Sequence, residues 1–113
     1  MTEKCLFCRI ANGEIPTKFV AETGEAVAFR DIDPKSPVHV LVVPRQHVTS
    51  LASAEDEEVL GQLMMLAAKV ARSEGISESG YRVIANTGPD GGQSVDHLHL
   101  HVMGGRRMTW PPG

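Results

Sequence analysis

The chain's most informative stretch for chemistry is His97-Leu-His-Leu-His-Val, residues 97–102. Side chains on a strand alternate between faces, so His97, His99 and His101 are expected on one face and Leu98, Leu100 and Val102 on the other. Neighbours two apart stand about 6.5–7 Å apart, which separates the outer pair by about 13 Å and keeps one metal ion from taking all three. Three separate tasks along the strand follow. Imidazole is both a neutral nucleophile and a proton carrier, because its unperturbed pKa of about 6.5 lies near neutrality. Just upstream, Gly91-Gly-Gln-Ser94 follows Asn86 and Gly88. Glycines let backbone N–H groups approach a phosphate closely, and the Ser94 hydroxyl can donate to a non-bridging oxygen. With no lysine in it, the loop suits the singly charged α-phosphate of a nucleotide better than a triphosphate.

Cys5 and Cys8 form the second chemical feature, a CxxC pair at the spacing of a structural zinc knuckle. Two more ligands would complete a tetrahedron, and His47 and His97 are the candidates. Such a site is structural, because four protein ligands leave no open position for water. The alternatives are two reduced cysteines packed under the first turn, or a redox pair. The redox reading is disfavoured because the pair does not lie between a strand and a long helix. His39 is then left over, as a buried hydrogen-bonding partner near the site.

The positioning elements follow from the apolar pattern. After the CxxC knuckle, one or two helical turns should stop at Asn12, Gly13 and Pro16. Strands are expected at Lys18–Glu22 and Ala26–Arg30, joined by the hairpin break Glu22-Thr-Gly-Glu25. The segment Asp31–His39 holds two prolines and should be a loop of fixed geometry leading into a strand at His39–Val43. Ser53, opening Ser-Ala-Glu-Asp, reads as the cap of one long helix. Its apolar stripe is Val59, Leu60, Leu63, Met64, Ala67, Val70 and Ala71, with Gly75 as the stop. Strands at Tyr81–Asn86 and His97–Met103 flank a flexible Thr87–Asp96 loop. The class is α+β: five strands in a mainly antiparallel sheet, one long helix packed on it and a short N-terminal helix.

A length of 113 residues suits one domain, 1–113, with a core that needs no staples. The net charge of −3 argues against a duplex-binding protein, since phosphate-backbone recognition rests on clustered Lys and Arg. No stretch approaches the roughly 20 apolar residues of a membrane span, and Met1–Ile10 lacks the pattern of a secretory signal. The expected location is therefore the cytoplasm.

The His97–Val102 motif, with Gly91-Gly-Gln-Ser94 before it, resembles the histidine triad nucleotide-binding proteins, in particular their Hint branch. Phe29–Pro34, His39–His47, Tyr81–Asn86, Gly104-Gly-Arg106 and Trp110–Gly113 are similar to Hint segments in the same order, so the resemblance covers nearly the whole chain. It implies a HIT-like fold and a double displacement on purine nucleoside phosphoramidates. His99 would take the nucleotidyl group on Nε2, and water would then release the monophosphate. His101 matches the position that contacts the phosphate and assists the leaving group. Ser94, Asn86 and Gly92, with Gln93 beside them, match residues at the α-phosphate. Asp31 matches the carboxylate that binds the ribose. Ile32, Phe7 and Ile10 resemble the base pocket, and Trp110 lies in the tail that in the family reaches toward the partner subunit's site.

Cys5, Cys8, His47 and His97 look like the zinc set of the CxxC-bearing members. The resemblance further implies a symmetric homodimer and no organic cofactor. Two positions depart from the pattern: Asp96 stands where relatives commonly carry an aromatic, and Thr109 where histidine is frequent. Alternation turns Asp96 toward solvent, and the tail change bears on leaving-group preference. The rivals to a phosphoramidase are a dinucleoside polyphosphate hydrolase of the same family, a nucleotide-binding regulator with incidental turnover, and a zinc-water hydrolase holding its metal on His97 and His99.

Overall fold

In the computed structural model, which describes residues 5–113, the aliphatic runs pair into a single sheet. Its strands are β1 (Phe19–Glu22), β2 (Ala26–Arg30), β3 (Val38–Pro44), β4 (Tyr81–Ile84) and β5 (Leu100–Gly104), in the order β1-β2-β3-β5-β4. All four pairings are antiparallel. Thr23 shapes the β1–β2 turn, its hydroxyl accepting from the backbone N–H groups of Glu25 and Ala26.

Central strand β3 is apolar on both faces because both are covered. Val40 and Val42 join Ala26, Ala28, Leu98, Leu100 and Val102 beneath helix α2 (Glu57–Ser73). Leu41 and Val43 join Val27 and Phe29 beneath the short helix α1 (Leu6–Ala11). Arg45, just beyond β3, ties α1 to the β1–β2 hairpin: its guanidinium donates to the Ala11 carbonyl, the Thr23 carbonyl and the Glu22 carboxylate.

Helix α2 does not start at Ser53. Ser53 closes a single 3₁₀ turn, Leu51–Ser53, in which Ser50 and Ser53 cap each other reciprocally. Asp56 caps α2 instead, accepting from the N–H groups of Glu58 and Val59. With Ser53 already engaged, Asp56 is the next acceptor, and Glu57 and Glu58 then complement the positive end of the helix dipole. The buried stripe is Val59, Leu63, Leu66, Ala67, Val70 and Ala71. Met64 is exposed, since one residue beyond Leu63 turns it about 100° away from the sheet. Leu66 takes the buried place that the sequence reading gave to Met64.

Two other expectations change. The hydrogen-bonded strand begins at Leu100, so His97 and His99 lie in the segment leading into β5 and only His101 stands on it. Alternation nevertheless survives on the apolar side, where Leu98, Leu100 and Val102 all pack under α2. The Thr87–Asp96 loop contains a helical turn, α3 (Gly88–Gly91), closed by Gly92 at a φ of 78° that glycine adopts without strain. Among the described residues no helix is long and apolar enough to cross a membrane.

Candidate active site and metal centre

On β5, His101 pairs with Leu41 of β3, and His39 stands diagonally across on the same face. Diagonal neighbours are within reach of long or aromatic side chains, and His39 Nε2 lies 2.9 Å from His101 Nδ1. The protons on these rings follow from their fixed partners. The Lys35 backbone N–H donates to His39 Nδ1 across 3.0 Å, so the neutral His39 ring carries its hydrogen on Nε2. That hydrogen goes to His101 Nδ1, with Asp31 Oδ2 at 3.4 Å as a second neighbour. Neutral His101 is thereby left with a donor N–H at Nε2. Burial, reinforced by the neighbouring His99 and His39 rings, pushes the His101 pKa down to about 4, so the ring is neutral at pH 7. Burial also lowers His39, against the raising influence of Asp31.

His99 has the opposite polarity. Its Nδ1 lies 2.7 Å from the carbonyl oxygen of His97. A carbonyl only accepts, so Nδ1 carries the hydrogen and Nε2 keeps its lone pair. The His99 and His101 ring centroids stand 5.0 Å apart, one ring with a lone pair at Nε2 and the other with an N–H there. Both line a cavity of about 460 Å³ together with Ser94, Asp31, Ile32 and Phe7. Ile10, Ile15, Phe29 and Leu41 complete its apolar wall.

A second cluster lies beyond His97. The ligand atoms of Cys5, Cys8, His47 and His97 are all within 4.8 Å of one another. Nδ1 of His97 is 3.2 Å from Cys5 Sγ and 3.5 Å from Cys8 Sγ, and Nδ1 of His47 is 3.3 Å from Cys8 Sγ. A tetrahedral zinc with Zn–S near 2.3 Å and Zn–N near 2.0 Å implies S···N edges of about 3.5 Å, close to these separations. The outer hydrogen bond of His97 agrees. His97 Nε2 donates to the Pro44 carbonyl across 2.9 Å, which leaves the Nδ1 lone pair facing the sulfurs. Burial pushes the Cys8 thiol up to about 11, helped by its hydrogen bond with Cys5, and lowers the pKa of His97. These residues fit zinc. A bound ion would cross-link α1 to the end of β3 and to the segment entering β5.

The other residues expected at the site divide into two groups. Ser94 is exposed on the cavity rim, and Ile32 is fully exposed on the loop across from it. Asp31 Oδ1 accepts from the Asp33 N–H in a tight turn, so Oδ2 is the oxygen left toward His39. Gln93 braces its own loop instead of lining the cavity: its amide accepts from Gly88 N–H and donates to the Thr49 and Val95 carbonyls. Asn86 and Gly92 flank that loop off the cavity wall, with the Asn86 backbone beside Gly91. Trp110 is also outside the wall, exposed and stacked near Arg82, whose guanidinium holds the Thr109 carbonyl. Asp96 is exposed as expected, although it shares the parity of Leu98 and Leu100, because it precedes the paired strand that begins at Leu100.

Sequence reasoning missed Leu6, Ile15, Pro16 and Thr17 in the cavity lining. It also missed the decisive backbone groups Lys35 N–H, Pro44 C=O and His97 C=O, which carry no side-chain signature. A larger polar groove of about 750 Å³ runs beside the start of α2 and touches His47, but neither His99 nor His101 lines it.

A model of the HIT domain matches residues 12–108. The chain belongs to the HIT domain family. Among relatives of this HIT chain, a 14 kDa zinc-binding protein of Zea mays is 48% identical over 112 residues, covering 96% of this chain and 87% of that one. Adenylylsulfatase HINT1 of Arabidopsis thaliana is 46% identical over 112 residues, covering 96% of this chain and 76% of that one. The crystal structure of a HIT family hydrolase from Legionella pneumophila superposes with a TM-score of 0.94 at 48% identity, covering 97% of this chain and all of that one. The α+β fold and five-stranded antiparallel sheet read from the sequence are thus those of HIT proteins.

Proposed function

We propose that this HIT protein hydrolyses purine nucleoside phosphoramidates at the α-phosphate through a nucleotidyl group carried on His99. The observation that carries this reading is the fixed, complementary pair of ring edges: a lone pair at His99 Nε2 beside an N–H at His101 Nε2, both at one cavity. His99 Nε2 attacks phosphorus and the P–N bond to the amine breaks; the Nε2–H of neutral His101 donates a hydrogen bond to the leaving nitrogen, which takes its proton from water. The ring of His99 becomes positive, and the His97 carbonyl that accepts its Nδ1–H stabilises that charge. Water then attacks phosphorus, the bond from His99 Nε2 to phosphorus breaks and one proton passes to solvent, releasing the monophosphate and restoring neutral His99. Ser94 would donate to a phosphate oxygen and Asp31 would accept from the ribose, while Ile32, Phe7 and Ile10 form the slot for the base. Asn86, Gly92, Gln93 and Trp110 would act from the loop and tail.

The cysteine–histidine cluster would hold a structural zinc, which supplies cross-linking and no activated water because its four ligands fill a tetrahedron. The zinc-binding relative from Zea mays supports that assignment. A second reading keeps the same intermediate and changes the leaving group to sulfate, favoured by the name of the Arabidopsis relative. The same family reading carries a symmetric pair of chains, consistent with exposed Met64 and Met65 on α2 and Tyr81 on edge strand β4. Light scattering that returns the mass of one chain at working concentration would refute that pairing.

Mixing the protein with an AMP phosphoramidate labelled at phosphorus and quenching in alkali should trap an acid-labile label on the chain. His99→Ala should lose the label and turnover while keeping its zinc. A variant that still turned over at more than a hundredth of the parent rate would rule out His99 as nucleophile.

A further inference from the structure

Phe7 is set between the two cysteines of the knuckle and is buried. Its ring meets two histidines of different duty edge-on: His97 of the cluster at 6.0 Å between centroids and 78° between planes, and His99 at 5.1 Å and 78°. On its third side it meets Phe29 at 5.7 Å. A second link joins the same parts, since His97 presents its Nδ1 to the sulfurs while its own carbonyl holds Nδ1–H of His99. The segment is also anchored by Leu98 N–H donating to the carbonyl of Val48, next to His47. Ring and peptide together form a short, packed connection from the cysteines to the atom proposed to attack.

From this we infer that Phe7 is a positioning residue for His99: the cysteine knuckle, through the Phe7 ring and the His97 peptide, holds the His99 imidazole in the tautomer and orientation that leave Nε2 free. The physical requirement is rotation control. A single hydrogen bond to the His97 carbonyl still lets the ring rock about its side-chain bonds, and an edge-on aromatic neighbour packed on Phe29 closes that freedom. Where an outer residue orients a reacting group, its loss lowers activity by about 10- to 100-fold. Phe7 also lines the cavity, so a wall-only role would raise KM and leave kcat alone.

The inference rests on His99 as nucleophile for its kinetic part only, and the experiment separates the two. Phe7→Leu and Phe7→Tyr are prepared with the full chain loaded with zinc, His47→Ala is prepared in the same zinc-containing buffer with its metal content measured, and folding is checked by circular dichroism. Long-range proton–nitrogen spectra then read the His99 ring, and kcat and KM are measured on an AMP phosphoramidate. Phe7→Leu should show mixed His99 tautomers and a kcat lower by about tenfold, Phe7→Tyr should restore both, and His47→Ala, outside the cavity, should lower kcat with KM unchanged. A parent-like single tautomer in folded Phe7→Leu, or KM changing alone, overturns the inference. Should Phe7→Leu fail to fold, the ring spectrum of His47→Ala decides in the same way. If the parent carries no trapped label, the nucleophile assignment falls, while the tautomer result still judges Phe7.

Discussion

The backbone N–H of Lys35 donates to Nδ1 of His39 across 3.0 Å, and this one contact separates two clusters that look alike. Ligand atoms of Asp31, His39 and His101 lie within 4.8 Å of each other, as do those of the cysteine–histidine set. Ligation through a histidine nitrogen requires its lone pair, and the opposite nitrogen of a neutral ring must then be the donor. His97 satisfies this, donating Nε2–H to the Pro44 carbonyl. His39 cannot, because its far nitrogen already faces a donor.

Zinc titration should therefore saturate at one equivalent per chain. Cys8→Ser should lose most of that binding and lower Tm, whereas His39→Ala should keep the full equivalent. Metal analysis after dialysis checks this, and two equivalents in the parent would show that the Asp31 trio binds too.

The same contact sets the proton inventory of His101. His39→Leu removes the donor to His101 Nδ1 and frees that ring to present either nitrogen to the cavity, so kcat should fall by about 10- to 100-fold, the range for losing a partner that orients a functional ring. His39→Gln, which can accept at one end and donate at the other, should recover part of it. Equal losses in the two variants would assign His39 a packing role.

Stability should fall on mild acidification. The unfolded chain takes up a proton on each histidine near pH 6.5, while folded His101 resists until about pH 4 and folded His39 is shifted the same way. In that window the unfolded state binds more protons, so the stabilisation is complete above pH 6.5 and is lost progressively below it. Calorimetry between pH 7.5 and 4.5 should show Tm falling, and His101→Gln should flatten the slope. A parent Tm unchanged down to pH 5 would contradict the burial of neutral rings.

Much of this was legible in the chain because side-chain type carried it. Period-two alternation located Leu98, Leu100 and Val102, and the CxxC spacing with His47 and His97 marked the four side chains that the fold gathers. Ala26–Arg30 has the predicted bounds. The start of α2 was misread because Ser53 and Asp56 both offer caps, and the choice depends on Ser50, whose hydroxyl had already recruited Ser53. The His97–Met103 strand was overextended because alternation reports which way side chains face and not whether the backbone is paired. Gln93 shows a different limit, since an amide in a glycine loop suits a phosphate and a loop brace equally. The tautomers of three rings depend on peptide groups from Lys35, Pro44 and His97, and a peptide group is the same at every position.

His47 is the exposed member of its cluster, whereas Cys8 and His97 are buried. In a zinc-loaded chain a chelator would meet that imidazole first, which would give traffic of the ion a door on one side. Exchange kinetics then depend on how readily one surface ring swings away, and replacing His47 by a weaker ligand should speed departure without changing which side it leaves from.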